Sequence, residues 1–343
     1  MSRQYLQTVQ SRWGRQVDAE IERWLGVASN LRHFADMMRY QLEFVDERGR
    51  PLTTSSSKRF RPLLCLLACQ GAGADPAHAI TVAAAIELLH NFSLIHDDIQ
   101  DRDETRRHRP TVWKLWGEAQ GINVGDGMFA LASRASVDAS DDPVIGLDVA
   151  RRFQCTTLLL TEGQYLDMSF EQRTDVNAPE YLDMIAKKTG ALIEFSLWSG
   201  ARVAGLDDAA LEAVGRFGLE LGKAFQIYDD IQGVWADTTT TGKEAAKDLV
   251  NRKKTLPVLL AAEHTTPAQY NILDRFFRHE TNDPAPVQAV LDDTDSYTRT
   301  QDELRKHLTI AIAALHDARI RTQQRNELEQ LAYELTDQRL VTS

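Results

Sequence analysis

The feature that most constrains the fold is the spacing of apolar residues along the chain. They recur every three or four residues through most of the sequence, and the ten prolines and nineteen glycines lie mostly between such segments. This period of about 3.6 residues is typical of amphipathic helices, and no segment shows the sustained alternation of a half-buried strand. We find no repeat of fixed period and no change of composition that would mark a linker. The sequence therefore predicts an all-α fold, a single large helical domain over residues 1–343.

Composition and charge exclude several classes of partner. The 343 residues, 43% of them hydrophobic, are enough to bury a large core, and the formal net charge of −11 argues against a general nucleic-acid binder. The three cysteines have neither the number nor the spacing of a disulfide framework or a zinc site. Residues Met1 to Trp13 are polar and no apolar run reaches about 18 residues, so we expect a cytoplasmic protein with no membrane span.

An acidic cluster follows a long apolar segment. The stretch from Ala77 to Asp101 is predicted as one helix and ends in Asp97-Asp98-Ile99-Gln100-Asp101. In a helix Asp97 and Asp101 project about 40° apart, so both carboxylates can reach one cluster of hard cations. Asp98 points to the side, as a spare ligand or as a partner for a base. The apolar helix that leads into these acids favours a metal and phosphate site over a solvated helix end.

The acidic pattern returns near the middle of the chain. The segment Asp207 to Trp235 is predicted as a helix and contains Asp229-Asp230, with Gln226 three and four residues before the pair and on the same face. Two such helices that face each other would present carboxylates from opposite walls, an arrangement suited to several Mg²⁺ ions. Because the chain is acidic as a whole, any anion site must be locally basic. Three basic runs meet that need, at residues 58–61, 106–109 and 252–254.

From Lys58 to Pro257 the chain resembles the trans-isoprenyl diphosphate synthases, also called polyprenyl synthetases. Five motifs in the family's order carry the resemblance. They are Lys58-Arg59-Phe60-Arg61-Pro62, the helix Glu87 to Asp98 with the first Asp-rich motif in its short form, Arg106-Arg107, Lys188-Thr189, and Gln226 to Asp230 with the trailing Lys243 and Lys253. Arg252 is an alternative to Lys253. Two positions depart from the pattern, because Ser57 replaces a usual glycine and Gly233 stands where a third aspartate is common.

The resemblance implies a fold of the isoprenoid synthase type and a chain-elongating prenyltransferase. An allylic diphosphate (dimethylallyl, geranyl or farnesyl) ionises while three Mg²⁺ ions hold its pyrophosphate, isopentenyl diphosphate attacks the cation, and a proton is lost. The implied metal ligands are Asp97, Asp101 and Asp229. The implied supporting residues are Asp98 and Asp230, through hydrogen bonds to metal-bound water or a lysine. Because Gly233 supplies no third carboxylate, metal coordination at the second motif would rest on Asp229 and Asp230.

The resemblance also assigns the substrate contacts. Residues that would hold the allylic diphosphate are Arg106, Lys188, Lys243 and Lys253. Residues that would hold isopentenyl diphosphate without metal are Lys58, Arg61, His90 and Arg107. Residues implied beneath the reacting carbons are Thr189 and Gln226. No side chain is an obvious general base, so the released pyrophosphate is the expected proton acceptor. The family usually forms homodimers through helices near the active site, which we carry over as an expectation.

Product length is expected to depend on the helix before the first motif. In the family the residue five positions before that motif often forms the floor of the pocket, and here it is Phe92, with the small Ser93 beside it and Leu89 one turn earlier. One aromatic followed by a small residue resembles the geranylgeranyl pattern. We therefore expect a C20 product, with C15 next and C25 or longer third.

Three other functions fit the sequence less well. A class I terpene cyclase would need no second diphosphate site and usually carries a different second motif. A catalytically silent regulatory subunit would predict a damaged first motif, whereas Asp97, Asp98 and Asp101 are all present. A purely structural helical scaffold would explain the core but not the two carboxylate clusters.

Overall fold

The computed structural model describes residues 4–27, 31–52, 59–236 and 247–337. Lys58 and Lys243, both assigned to substrate, lie outside these ranges. The helices are α1 Gln4–Val27, α2 Arg32–Gln41, α3 Phe60–Gly71, α4 Ile80–Gln100, α5 Val112–Trp116, α6 Glu118–Val137, α7 Pro143–Gln172, α8 Ala178–Ile185, α9 Ala191–Val203, α10 Asp208–Trp235, α11 Lys247–Val250, α12 Leu256–Ala262, α13 Pro267–Phe277, α14 Ala285–Asp293, α15 Ser296–Asp317 and α16 Thr322–Leu335. A 3₁₀ turn, Pro76–Ala79, precedes α4. The predicted all-α fold is confirmed.

Helix α4 is the apolar centre of the bundle and carries the first acidic motif at its end. Asp75 caps the turn before it by accepting a hydrogen bond from the Ala77 amide, and the helix packs against α6, α3 and α1. The helical stretch Pro76–Gln100 passes a length and composition test for a membrane-spanning helix, with a mean hydropathy of 1.3. Because 61% of that apolar window is buried inside the protein, its hydropathy is explained by the core.

The spacing of apolar residues from Pro179 to Val203 predicts one helix, and the structure is helical over this whole stretch but not regularly α-helical. A π-helical turn, Ala186–Gly190, separates α8 from α9. Glycines bring two helices against this turn at close range. A Cβ at Gly163 of α7 would lie 2.4 Å from the Lys188 amide nitrogen, and one at Gly222 of α10 would lie 2.5 Å from the Gly190 Cα. These contacts fix the π turn between α7 and α10, next to the second acidic motif.

A short hairpin follows the first acidic motif, where the sequence predicted no strand. Residues Thr105–Arg106 (β1) pair antiparallel with Arg109–Pro110 (β2), and Arg107 and His108 between them have φ values of 52° and 63°. Positive φ at two successive positions suits the right-handed twist of a tight hairpin. The hairpin directs Arg106 back toward the end of α4, which a purely helical reading of the sequence does not predict.

The C-terminal helices complete the bundle around α10. Helix α15 packs along α10, and α16 packs against α3 and α1. Within the described residues the hydrophobic clusters are linked by shared side chains, because Trp13 and Trp198 each pack against two of them and Trp235 joins two others. The C-terminal third therefore shares its apolar packing with the helices that carry the acidic motifs.

Candidate active site

A single cavity brings the two acidic motifs together. Asp101, directly after α4, and Asp229, near the end of α10, both line it, together with Lys188 from the π turn. Other charged residues that line it include Asp167, Asp248 and Lys253. Residues more than 100 positions apart in the sequence thus line one polar cavity at the ends of two buried helices.

Of the three carboxylates in the first motif, Asp101 lines the cavity, Asp97 is influenced by the charge of Lys188, and Asp98 is held by an arginine. Burial raises the pKa of Asp97 to about 6, although the charge of Lys188 opposes the rise. Asp98 Oδ1 accepts a hydrogen bond from Arg106 Nε at 2.7 Å and forms an ion pair with Arg106 Nη2 at 2.7 Å. Its other oxygen, Oδ2, is buried and has no hydrogen-bond partner within the described residues. The resemblance implied support for metal-bound water or a lysine, whereas here Asp98 positions an arginine of the hairpin.

The second motif is held by a chain of hydrogen bonds. Thr189 Oγ1 donates to Gln226 Oε1 at 2.9 Å, Gln226 Nε2 donates to Asp230 Oδ1 at 3.2 Å, and the Tyr181 hydroxyl donates to Asp230 Oδ2 at 2.7 Å. Burial raises the pKa of Asp230 to about 8 in spite of these donors. Within the described residues the hydrogen-bond donors to Asp230 thus include Tyr181 and Gln226, and Asp229 is the exposed carboxylate of the pair.

Lys188 is paired with an aspartate that the sequence analysis missed. Its Nζ lies 2.5 Å from Asp167 Oδ2 on α7. Burial lowers the pKa of Lys188, but the negative charges of Asp97 and Asp167 outweigh it and the net shift is upward. The missed signal is the pair Gly163 and Asp167, one turn apart on the side of α7 that faces Lys188. Tyr181 and Asp248 were also missed.

A second basic site lies around the start of α3. Arg61 Nη1 lies 3.1 Å from His90 Nε2, and the buried Nε of Arg61 has no hydrogen-bond partner within the described residues. Burial lowers the pKa of Arg61 to about 10, and burial together with the charge of Arg61 holds the pKa of His90 well below its usual value. The neutral His90 must then accept the hydrogen bond from Arg61. Arg107 nearby donates to Glu43 at 2.8 Å.

Two basic residues near the second motif face in different directions. Arg252 donates to the main-chain oxygens of Phe276 and Thr281 and so ties its turn to the C-terminal helices. Lys253 lines the cavity. Of the two alternatives that the spacing left open, Lys253 is the one placed at the cavity.

An aromatic row lies below the first motif. The Phe92 ring centroid is 4.8 Å from that of His96 and 5.2 Å from that of Phe129, and the row continues from Phe129 to Phe153 at 6.2 Å. Ser93 is half-buried and its hydroxyl donates to the main-chain oxygen of His90, while Leu89 is fully buried. The row joins α4, α6 and α7 across the interior of the bundle.

The acidic residues fit a metal ion that is coordinated by both the protein and a bound phosphate group. Within the described residues, no group of three or more His, Cys, Asp or Glu side chains converges to hold a metal by itself. Mg²⁺ prefers oxygen and usually takes one or two carboxylates plus water and substrate phosphate. Asp101, directly after α4, and Asp229 on α10 supply such oxygens in one cavity, and Asp97 and Asp98 precede Asp101 at the end of α4.

Comparisons with known proteins agree on one family. The family model described as polyprenyl synthetase matches residues 43–294. A (2E,6E)-farnesyl diphosphate synthase of Mycobacterium tuberculosis is 42% identical over 272 residues, which are 79% of this chain and 71% of that protein. A geranylgeranyl diphosphate synthase of the same organism is 42% identical over 234 residues, covering 68% of this chain and 67% of that protein.

Solved structures extend the similarity over nearly the whole chain. A geranylgeranyl pyrophosphate synthetase from Pyrococcus horikoshii superposes with a TM-score of 0.87 at 30% identity, covering 98% of this chain and 99% of that chain. A polyprenyl synthetase from Streptomyces coelicolor gives a TM-score of 0.86 at 32% identity, covering 96% of this chain and 98% of that chain.

Proposed function

The chain belongs to the polyprenyl synthetase family and is a trans-prenyltransferase, and from this premise we propose that it makes geranylgeranyl diphosphate from isopentenyl diphosphate and an allylic diphosphate. The observation that carries the proposal is the cavity that receives Asp101, Asp229 and Lys188 from two acidic helices and a π turn. A C15 product is the alternative, because a farnesyl and a geranylgeranyl diphosphate synthase are each 42% identical to this chain over the matched residues. A product of C25 or longer ranks third.

We assign the pyrophosphate of the allylic substrate to the cavity. Asp97, Asp101 and Asp229 would hold Mg²⁺, three ions in all, together with oxygens of that pyrophosphate. Bound Mg²⁺ stabilises the negative charge that develops on the leaving oxygen during ionisation. The cations assigned to the same pyrophosphate are Arg106, Lys188, Lys243 and Lys253. Arg106 is oriented for this role by Asp98, and Lys188 by Asp167.

We assign isopentenyl diphosphate to the second basic site, with Lys58, Arg61, His90 and Arg107. The support is Arg61, a half-buried residue whose buried Nε has no hydrogen-bond partner within the described residues. A buried cation with an unpaired donor is costly unless an anion binds there. A neutral His90 keeps Arg61 in place through its ring nitrogen without adding a positive charge.

The polar chain at the second motif would act beneath the reacting carbons. Gln226 is held at both ends of its amide, by Thr189 and Asp230, so its dipole cannot rotate freely. A fixed dipole stabilises positive charge more effectively than a mobile one because it needs no reorganisation during the reaction. After carbon–carbon bond formation, the proton lost from the intermediate would pass to the released pyrophosphate.

The aromatic row supports a pocket floor at Phe92, with Ser93 and Leu89 beside it. A growing chain that descends from the cavity would meet the Phe92 ring first and then Phe129 on α6. The preference for C20 over C15 rests on the resemblance, in which one aromatic followed by a small residue, here Phe92 and Ser93, is the geranylgeranyl pattern.

We also propose a homodimer. Four apolar residues of α7 are exposed on one face, each with more than half of its surface accessible: Val144, Leu147, Leu158 and Tyr165. At about 100° per residue they lie within roughly 60° of one another, and the exposed Arg151 and Glu162 lie among them. A face that mixes exposed apolar and charged residues suits a protein–protein interface, and a second copy of the chain is the partner that the family favours.

The test is incubation of purified protein with Mg²⁺, labelled isopentenyl diphosphate and each allylic diphosphate, followed by mass spectrometry of the dephosphorylated products. A linear C20 alcohol is expected from wild type and from Glu212→Gln, an exposed control on α10. Asp229→Ala should give no product. Cyclic hydrocarbons would indicate a cyclase, and no turnover would indicate a silent subunit. Near-normal turnover by Asp229→Ala at saturating Mg²⁺ would contradict the site.

A further inference from the structure

Gly233 is the position where the second motif lacks a third acidic side chain, and the space beside it is occupied. A Cβ placed on Gly233 would lie 1.9 Å from Asp248 Oδ2 and 2.4 Å from its Cγ. The Asp248 carboxylate therefore packs directly against the main chain of α10, one turn beyond Asp229 and Asp230. No side chain at position 233 could coexist with this arrangement.

Asp248 also belongs to the cavity. It lines the same space as Asp229 and Lys253. Its charge contributes to the raised pKa values of Asp230 and Tyr181, although burial is the larger cause for both. The carboxylate is thus close to the second motif in space although it comes from a separate helix, α11.

The main chain around Asp248 is anchored, so its placement is set by the fold. Leu249 is fully buried in the same apolar cluster as Val234 of α10. The Asp248 carbonyl oxygen accepts a hydrogen bond from the Lys253 amide at 2.8 Å. One residue therefore places a carboxylate against α10 with its side chain and supports the turn leading to Lys253 with its main chain.

We propose that Asp248 is a positioning residue of the diphosphate site and that it supplies, from α11, the carboxylate that position 233 lacks. The inference rests on the proposed function. A carboxylate at this point would orient Asp229 and the metal-bound water around it, as groups behind a metal ligand commonly do. Gly233 and Asp248 form one unit, because the carboxylate can occupy its place only while residue 233 has no side chain.

The test measures binding of inorganic pyrophosphate at a series of Mg²⁺ concentrations by calorimetry, without turnover. Asp248→Asn and Gly233→Ala should each weaken Mg²⁺-dependent binding roughly 10- to 100-fold, the usual effect of disturbing a group that orients a metal ligand. The double variant Gly233→Ala/Asp248→Ala should be no weaker than the more damaged of its single variants, because both act on one carboxylate. Gly233→Asp/Asp248→Ala should recover part of the affinity.

Controls separate this inference from the proposed site. Glu212→Gln removes one charge elsewhere on α10 and should bind like wild type, and thermal melts without metal should show that every variant folds. Equal binding by wild type and Asp229→Ala would overturn the proposed site, and the inference with it. If Asp229→Ala loses binding while Asp248→Asn keeps wild-type affinity, or if the losses from Gly233→Ala and Asp248→Ala simply add, the inference alone is wrong.

Discussion

Replacing Asp97 by asparagine should stabilise the metal-free protein at alkaline pH while it abolishes turnover. The pKa of Asp97 is raised from 3.8 to about 6, with burial as the main cause. Because the folded protein holds this proton more tightly than the unfolded chain, stability falls as the pH rises from about 4 to 6 and the loss is complete above that range. A difference of about 2 in pKa corresponds to about 3 kcal/mol. Water reaches part of the side chain, so we expect about 1 to 3 kcal/mol at pH 8.

The assay is urea unfolding of wild type and Asp97→Asn in EDTA at pH 4 and pH 8. The variant should be more stable at pH 8 by the amount above, and its advantage should shrink toward zero at pH 4, where wild-type Asp97 is protonated as well. Glu212→Gln, an exposed charge removal, should show no such dependence on pH. Adding Mg²⁺ and pyrophosphate at pH 8 should reverse the order, because only wild type gains binding energy in full. A stability difference that is equal at both pH values, or a less stable variant at pH 8, would refute the reasoning.

Three further variants test the substrate sites. Arg61→Ala should raise the KM for isopentenyl diphosphate about 10- to 100-fold, since a charge-assisted phosphate contact acts mainly on its own ligand; an equal rise in the allylic KM would show that the two sites are exchanged. Phe92→Ala should lengthen the product by removing the first ring of the floor, with Phe129 as the next barrier, and an unchanged length by mass spectrometry would place the floor elsewhere. Ser93→Phe should shorten the product to C15, and a C20 product from this variant would argue against a chain that passes Ser93.

The sequence predicted the helices because they depend on local pattern. It gave the meeting of the two acidic motifs only as what two such helices would do if they faced each other in a bundle. Asp101 and Asp229 do line one cavity. The partners of the inner carboxylates were not predictable in this way. Asp98 bonds to Arg106 only because a hairpin turns the chain back, and Asp230 bonds to Tyr181 across 49 residues.

The π turn is the clearest example of a feature that could not be predicted from the sequence pattern. An α-helix keeps its regular hydrogen bonds unless tertiary packing stabilises a π turn in their place. That packing involves residues distant in the sequence. Here the contacts come from Gly163 on α7 and Gly222 on α10, which approach the turn more closely than any side chain would permit. Each glycine alone would have been read as a weak point of its own helix.

On the proposed function, these close approaches would let one bundle combine a rigid reaction floor with an accessible metal site. Stabilising a carbocation requires dipoles that are fixed before the charge appears, and the glycine contacts at the π turn hold Thr189 against Gln226 in that way. Metal ions and diphosphates must instead enter from water. Asp101 and Asp229 meet that need because they are exposed. The division falls between neighbouring residues of α10, since Asp229 is exposed while Asp230 and Ile231 are buried. Substitutions at the glycine contacts should therefore act on the chemical step, and substitutions at the exposed carboxylates on binding as well.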